Sequence, residues 1–300
     1  MAEITVPFLL SFTDAVSTAA TQYGRFAMDV SSITAENVYP RMNDIPGFRE
    51  WVGDRVINGL SGTAYAIRNR LFESTLEVKR TDFEDDQYGL YTPVVEELGQ
   101  QAAELPDLLT FGLLKTGDAA GSLCYDGTPF FGTGHTTYDA SGDPIAYSNV
   151  QHATAPDVDG PAWYLFSTNR PMRAMIVQRR RPFVLTPRMN LMDPSVFDRG
   201  TFLWGVDGRM NAGYGMWQLA YKSYAPLNAT YYAAARAAMM NQRRADGVPF
   251  GIRPTILVYP PSLAAQARTL LISELVPVAG GGTVSNPWKG SAEPVETEWL

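Results

Sequence analysis

The most constraining stretch of the chain is residues 81–99, where an acidic extended segment passes into the start of a long amphipathic helix. Thr92 is a favourable N-cap, and Pro93 follows at the first helical position, where its missing N–H group removes no hydrogen bond. Glu96 and Glu97 lie in the first turn, where they complement the helix dipole. No nucleophile, metal cluster or phosphate loop accompanies this stretch, so it favours contacts between molecules over catalysis.

The spacing of apolar residues predicts that this helix continues over 92–116. One apolar stripe recurs at intervals of three and four residues, and it comprises Val94, Leu98, Ala102, Leu105, Leu109 and Leu113. Pro106 lies inside the pattern, so it either kinks one helix or begins a second one. Gly117 is the expected C′ residue.

The residues before this helix predict an extended N-terminal third. A helix is expected over Ser11–Met28, capped by Thr13 or Asp14. Residues 54–67 contain Asn-Gly and Ser-Gly pairs that are typical of a hairpin. Residues 71–79 alternate between apolar and polar side chains, which predicts an exposed strand with two different faces.

The rest of the chain mixes strands and helices. Strands are predicted at 163–166, 174–178, 201–206, 215–221 and 255–259, and helices at 228–245 and 263–272, capped by Asn228 and Ser262. A flexible loop is predicted at Gly280–Gly282, and an edge strand is predicted in the tail from Pro287 to Leu300. This order predicts an α+β fold.

Composition supports a large core and shows segregated charge. Hydrophobic residues make up 45% of the 300 residues, and there is one cysteine, so no internal disulfide is expected and a reducing compartment is favoured. Neither a signal peptide nor a transmembrane helix is predicted. The net charge is −9 over 1–120, −5 over 121–160, +8 over 161–250 and −1 over 251–300. This pattern favours complementary patches between copies or a basic face toward an anionic partner, although it also fits the surface of one monomer.

Candidate catalytic residues are few. Cys124, Asp126 and His135 share a glycine-rich region and suggest a thiol nucleophile with a histidine base, but a lone cysteine is more often a packed core residue. One cysteine and two histidines match no zinc spacing, and the acidic run 82–86 lacks the glycine of a calcium loop. Phosphate-loop, dinucleotide and G-x-S-x-G motifs are also missing from the sequence, so no cofactor or metal is predicted.

Two further clusters have structural explanations. Arg179–Arg181 fits a contact between subunits better than a nucleic-acid site, because no aromatic stacking platform is evident beside it. Five aromatic residues between Trp204 and Tyr224 have strand-like spacing, which predicts packing rather than a ligand cage.

Across nearly its whole length the chain resembles the major head subunit of Mu-like tailed bacteriophages. The resemblance is carried by Glu50–Arg55, Asp82–Gly99, Cys124–Phe131, Trp163–Leu165, Phe202–Val206, Arg209, Asn211, Gly213, Gly215 and Trp217–Ala220. It implies the Hong Kong 97 capsid fold, which has an N-terminal arm, an extended loop called the E-loop, a spine helix, and peripheral and axial domains. On this chain the implied division is an arm at 1–45, the E-loop at 46–81, a peripheral domain at 82–250 with the spine helix at 92–116, and an axial domain with a return strand at 251–300.

The resemblance implies a structural protein of the virion rather than an enzyme. Pentamers and hexamers of the chain would close into an icosahedral head around double-stranded DNA, assembling in the host cytoplasm with scaffold and portal proteins, and with a decoration protein as a further candidate partner. Noncovalent closure is expected. The candidate contacts between subunits are Trp51, Arg55, Glu73, Glu77, Lys79, Arg80, Asp85, Asp86, Arg179, Arg180 and Arg181.

Three alternatives remain open on the sequence. A cellular nanocompartment of the same fold would enclose an enzyme, and the nucleic-acid content of particles would distinguish it. A Cys/His hydrolase would lose its activity in Cys124→Ser. A monomeric DNA-binding protein using Arg179–Arg181 would bind with strong salt dependence.

Overall fold

A computed structural model describes residues 2–39, 65–85, 89–278 and 281–300. Its elongated part is a four-stranded sheet with the order β1-β9-β10-β4. The strands are β1 (Ala27–Ser31), β4 (Arg70–Lys79), β9 (Met175–Arg188) and β10 (Thr201–Tyr214). Strands β9 and β10 form a 14-residue antiparallel hairpin, roughly 45 Å long at about 3.3 Å per residue. The strand predicted at 71–79 is confirmed as β4, which pairs with β10 along its whole length.

Helix α3 (Tyr91–Thr116) lies against one face of this sheet and matches the predicted long helix. It is one continuous helix with Pro106 inside it, so the expectation of a second helix starting there is wrong. The helix begins at Tyr91 and its N-cap is Leu90, so the prediction of Thr92 as the cap and Pro93 as the first helical residue is wrong. Pro93 is the third helical residue, and its missing N–H group still removes no hydrogen bond because the first four N–H groups of a helix have no partner within it. Gly117 ends the helix with φ −65°, not in the left-handed conformation that the predicted C′ role requires.

The buried face of α3 differs from the predicted stripe. Val94 is 43% exposed, whereas Val95 is fully buried. The fully buried side chains also include Phe111 and Leu114, and the predicted Leu105 and Leu109 lie at the edge of this face. The buried face is rotated around the helix axis relative to the predicted stripe, because both the sheet and α1 (Ala2–Thr18) pack against α3.

The N-terminal helix lies earlier than predicted. Helix α1 ends at Thr18, and residues 27–31 form β1, so a helix reaching Met28 is wrong. Phe8 and Phe12, one turn apart, are buried against the sheet, and their burial extends the helix toward the N-terminus. Thr13 does not cap the helix, because its hydroxyl donates to the Leu9 carbonyl at 2.7 Å within the helix.

A second sheet builds the other part of the molecule, with the order β15-β12-β8-β11-β7. Its strands are β7 (Val150–Gln151), β8 (Trp163–Phe166), β11 (Ala220–Ser223), β12 (Ile256–Tyr259) and β15 (Glu293–Glu296). The predicted strands β8 and β12 are confirmed, and the tail returns as the edge strand β15, parallel to β12. Residues 217–219 form a 3-10 turn, so the strand predicted at 215–221 is wrong over that part.

Two helices accompany this sheet. Helix α5 (Ala229–Met240) is capped by Asn228 as predicted, with the side chain accepting from the Thr230 and Tyr231 amides. It ends five residues before the predicted Ala245, because Gln242 is buried and donates to the Gln218 carbonyl at 3.0 Å. Helix α6 (Ala264–Leu271) follows a 3-10 turn, and Leu263 rather than Ser262 precedes it.

Shorter elements complete the described chain. They are β2 (Glu36–Tyr39), β3 (Tyr65–Arg68), α2 (Arg80–Glu84), β5 (His135–Tyr138), β6 (Pro144–Tyr147), α4 (Pro194–Arg199), β13 (Leu275–Val278) and β14 (Gly282–Ser285). Strands β2 and β3 pair with each other, as do β5 with β6 and β13 with β14. Gly282 opens strand β14, so the predicted loop is shorter than expected. The hairpin turns predicted between 54 and 64 lie outside the described residues.

The core has two clusters. The larger joins the five-stranded sheet, α5, α6 and the near end of the β9–β10 hairpin, and it contains Trp163, Phe166 and Trp217. The smaller lies between α1, α3 and the far end of that hairpin, and it contains Phe12, Val95 and Trp204. The aromatic residues predicted as packing are therefore packed, with Trp204 and Trp217 each 1% exposed. Among the described helices, none is both long and apolar enough to cross a membrane.

Candidate assembly site

Among the residues that the structure describes, Cys124, Asp126 and His135 bring catalytic residue types together in a hydrogen-bonded cluster after α3. The Asp126 carboxylate lies 2.7 Å from His135 Nδ1 and 3.0 Å from the Cys124 thiol, which donates to it. It also accepts from the Thr128 hydroxyl at 2.7 Å. The His135 ring stacks on Trp217 with the ring centroids 4.1 Å apart. The cluster therefore pins the loop between α3 and β5 to the core.

The electrostatics of this cluster oppose nucleophilic chemistry. Burial, followed by the hydrogen bond and charge of Asp126, raises the pKa of the Cys124 thiol far above its usual value. Burial alone would raise the pKa of Asp126, but hydrogen bonds from His135, Cys124 and Thr128 hold it well below its usual range. The thiol therefore stays protonated while the carboxylate stays charged, and a thiol is a poor nucleophile. The geometry supports a structural cluster and not the Cys/His hydrolase alternative.

The same three side chains are the only described group whose donor atoms are close enough to share a metal ion, lying within 4.8 Å of one another. In the structure these donors satisfy one another. Asp126 accepts from both neighbours, and His135 Nε2 lies 3.2 Å from the Phe130 carbonyl. The arrangement is complete as a hydrogen-bond network.

A buried lysine joins the end of α3 to the five-stranded sheet. Lys222 Nζ donates to Asp118 at 3.0 Å and to the Lys115 carbonyl at 3.1 Å, at the negative end of the helix dipole. Its side chain is 1% exposed and lies over the rings of Phe131 and Tyr224. Burial lowers the pKa of Lys222, and the bond to Asp118 opposes this shift. Sequence reasoning did not single out this residue, because a lysine in a strand carries no signal of burial.

The candidate contacts on β4 and α2 lie on the surface. Glu73, Glu77 and Lys79 are exposed on one face of β4, as the alternation predicts. Arg80 forms an ion pair with Glu84 at 2.7 Å, so its charge has a partner within the chain. Asp85 is exposed after α2, and within the described ranges it makes no ion pair.

The arginine triplet lies in strand β9, not in a loop. Arg179 binds Asp29 at 2.8 Å and the Tyr23 hydroxyl, and Arg181 pairs with Asp207. Both side chains thus have partners within one chain, which differs from the expectation that the whole triplet is available to a neighbour. Arg180 is exposed and forms no ion pair with the described residues. Trp51, Arg55 and Asp86 lie outside the described residues.

Two surface features were missed by sequence reasoning. The turn between β9 and β10 exposes large apolar side chains, with Met192 at 84% and Phe197 at 80% exposure. The sequence could have predicted this feature, because large apolar residues there occur in a stretch that is rich in turn-forming residues. The second feature is a shallow pocket of about 630 Å³ lined by Arg68, Asn69, Leu71, Arg180, Arg181 and Arg209. Its arginines come from three strands, and the pairing of β9 with β10 brings Arg181 and Arg209 together although they are remote in sequence.

Comparisons with known proteins agree with this structural reading. A family model described as Mu-like prophage major head subunit gpT matches residues 1–300. The chain is 36% identical over 287 residues to the Mu-like prophage FluMu major head subunit of Haemophilus influenzae, covering 95% of this chain and 92% of the relative. It is also 36% identical over 292 residues to the major capsid protein of Escherichia phage Mu, covering 96% and 94%.

Solved structures give the same result for the fold. A chain of the procapsid of bacteriophage JBD30 superposes with a TM-score of 0.85 at 39% identity, covering 100% of this chain and 98% of that chain. A chain of the JBD30 capsid gives a TM-score of 0.80 at 30% identity, with 96% and 93% covered.

Proposed function

Since the chain belongs to the family of Mu-like prophage major head subunits, we propose that it closes as pentamers and hexamers into an icosahedral head around double-stranded DNA. The chain is a major capsid protein with an α+β capsid fold, and its copies form the shell of the virion head. The family is structural, and burial raises the pKa of the Cys124 thiol in the cluster that it forms with Asp126 and His135.

The observation that carries this proposal is the exposed apolar end of the β9–β10 hairpin. Monomeric soluble proteins rarely expose adjacent large apolar side chains, and such patches mark interaction surfaces. Here Leu191, Met192 and Phe197 are exposed together at the end of a hairpin roughly 45 Å long. A long hairpin whose end exposes apolar side chains is suited to contact a neighbouring subunit.

We propose the following division of the chain by domain. The arm comprises residues 1–45, with α1 lying along the spine helix α3. The E-loop lies within 46–81. The pairing of β2 with β3 supports placing these two strands at its base, and the pairing of β4 with β10 joins it to the four-stranded sheet. The peripheral domain is built within 82–250 from α3, β9 and β10. The axial domain includes 251–300, and the pairing of β12 with β8 supports adding the rest of the five-stranded sheet.

The proposed partners follow from the shell. The chain would assemble in the host cytoplasm with a scaffold protein and a portal, and then receive DNA. A JBD30 capsid chain similar to this one, at 31% identity, comes from a capsid decorated with minor capsid protein trimers. On that likeness we propose that a minor capsid protein also decorates this shell. The nanocompartment alternative predicts particles that assemble without scaffold and contain no nucleic acid.

The test is assembly of the chain co-expressed with a candidate scaffold, followed by negative-stain electron microscopy and mass photometry. Closed particles, or rings of five and six, are expected from the unaltered chain. The double variant Met192→Asp/Phe197→Asp is expected to stay folded and unassembled. Val158→Asp is the matched control, because Val158 is 77% exposed on a separate loop, and it is expected to assemble. A monodisperse monomer from the unaltered chain under all conditions would contradict the proposal.

A further inference from the structure

The free face of the four-stranded sheet carries positive charge at one end. Arg209 on β10 is directly opposite Arg181 on β9 and Leu71 on β4 in the strand register. Like charges directly opposite each other in a sheet are destabilising. The register also shifts at Arg209, where the ladder is irregular. An unfavourable pair at an irregular point of a sheet indicates that the arginines are placed there for something other than stability.

Arg209 lies on the face of the sheet that points away from the spine helix. Phe72 and Val206 face α3, since both line a groove of about 340 Å³ with Leu98 and Leu105 of that helix. Successive side chains in a strand point to opposite faces. Leu71 and Arg209 therefore lie on the face that α3 does not cover. This face is open in the described part of the chain, and its basic pocket is accessible.

Most of the charge in this pocket is not neutralised by the residues that the structure describes. Its lining has four arginines and no acidic residue. Asp207 pairs with Arg181 from outside the lining, and Glu36 is opposite Arg68 in the β2–β3 ladder without an ion pair between them. Arg180 and Arg209 form no ion pair among the described residues. The pocket is therefore suited to bind an anionic group.

The acidic counterpart lies at the opposite end of the same strand. Strand β4 begins at Arg70 beside the basic pocket and ends at Lys79, where α2 follows. Asp82 and Asp85 are exposed there, and neither forms an ion pair within the described residues. Ten residues at about 3.3 Å per residue place the two ends roughly 30 Å apart. That separation exceeds the Debye length of about 8 Å at physiological salt, so the two charges cannot satisfy each other within one chain.

We propose that the arginine pocket of one copy binds the Asp82–Asp85 segment of a second copy, head to tail around each ring of subunits. The contact joins different patches on the two copies, and such heterologous contacts generate rings when the rotation between successive copies closes. Asp82 and Asp85 supply the carboxylates, and Arg180 and Arg209 supply the guanidinium groups that match them. This inference rests on the proposed shell function and identifies one contact that closes the rings.

The test uses two charge-reversed variants. In the first, Arg180→Glu/Arg209→Glu turns the two guanidinium groups proposed for the contact into carboxylates, so both partners of the contact are negative. In the second, Asp82→Arg/Asp85→Arg makes both partners of the contact positive. Like charges facing each other at every contact should lower the fraction of chain in particles by about tenfold or more for each variant alone. Combining all four substitutions in one chain restores opposite charges at every contact, so this chain should assemble at close to the level of the unaltered one.

Mixing the two variants gives a sharper result. Each contact between unlike variants has opposite charges, so rings must alternate, which is feasible with six subunits and not with five. The mixture should form sixfold rings and open sheets but no closed heads, because an icosahedral shell needs fivefold vertices. Closed heads from the mixture would overturn placement of this contact within the ring.

The controls separate this inference from the proposed function and from DNA binding. Arg253→Glu/Lys115→Glu changes the net charge equally at two exposed residues that line no part of the pocket and form no ion pair among the described residues, and it should assemble normally. Normal circular dichroism of each unassembled variant confirms folding. Normal assembly of both single-end variants would overturn the inference while leaving the shell function intact. Failure of the four-substitution chain to recover, with a parallel loss of DNA affinity, would show that the pocket binds phosphate instead.

Discussion

A buried carboxylate on the spine helix holds the N-terminal segment in place, and its removal gives a quantitative prediction. Asp107 on α3 is 1% exposed. It accepts from the Tyr23 amide at 2.6 Å and from the Gln22 amide at 3.1 and 3.0 Å. These contacts join residues that are more than 80 positions apart in the chain. Asp107→Ala would leave two amide groups without their partner.

The magnitude follows from those two amides. A buried donor without a partner costs about 1–3 kcal/mol. Burial of the charged carboxylate is itself unfavourable and partly offsets this loss, so Asp107→Ala should lower the free energy of unfolding by about 2–4 kcal/mol. The assay is urea unfolding of the unassembled chain followed by tryptophan fluorescence. Glu96→Ala, an exposed carboxylate on the same helix, should change stability by less than about 0.5 kcal/mol.

The pH dependence gives a second readout of the same site. Burial raises the pKa of Asp107 above its ordinary value, while the amides of Gln22 and Tyr23 oppose the shift. A raised carboxyl pKa means that the folded state binds its proton more tightly than the unfolded state. The contribution of Asp107 is therefore fully present below the ordinary carboxyl pKa of about 3.9 and declines as the pH rises through the folded value.

Asp107→Asn removes this titration and keeps one acceptor oxygen. Its stability deficit relative to the unaltered chain should accordingly be smaller at pH 7 than at pH 4. A loss below about 0.5 kcal/mol in Asp107→Ala, or a deficit of Asp107→Asn that grows with pH, would refute the reasoning.

Three further predictions concern packing and burial. Gly99→Ala should loosen α1 and speed its proteolysis, because the added Cβ would lie 2.8 Å from the Phe12 carbonyl oxygen, whereas Gly112→Ala on the same helix meets nothing and should stabilise by about 0.5–1 kcal/mol. Cys124 should react with a thiol reagent at pH 8 only after urea unfolding, since burial raises the pKa of its thiol, and rapid labelling of the native chain would contradict this. Lys222→Met should lower the melting temperature because it removes the ion-pair partner of Asp118, which keeps only the hydrogen bond from the Tyr224 hydroxyl, and Lys222→Met/Asp118→Asn should recover part of the loss, so equal losses would show that the ion pair is not responsible.

Local patterns were sufficient where one physical rule dominates. Strands β4, β8 and β12 were predicted because their side chains either alternate or are continuously apolar. The Asn228 cap was predicted because an N-cap side chain binds backbone amides only two and three residues further along the chain. The boundaries of α1 and α5 were missed for the opposite reason. Phe8 and Gln242 owe their positions to partners that are remote in sequence.

The family and fold were also within reach of the sequence, because the resemblance rests on the order and spacing of many short motifs, and the comparisons confirm it. The sequence did not show which of the charged residues are available for contacts. Arg179 and Arg181 are neighbours of Arg180 in sequence, yet both pair within the chain while Arg180 remains exposed.

The order of residues along the chain is enough to predict the type of most elements and the family to which the chain belongs. Which charges remain available depends on how distant strands pair. Strand register placed Arg209 opposite Arg181 and set the basic pocket roughly 30 Å from the acidic segment. Register depends on pairing between distant strands, and a pairing energy between distant residues leaves no local pattern in the sequence.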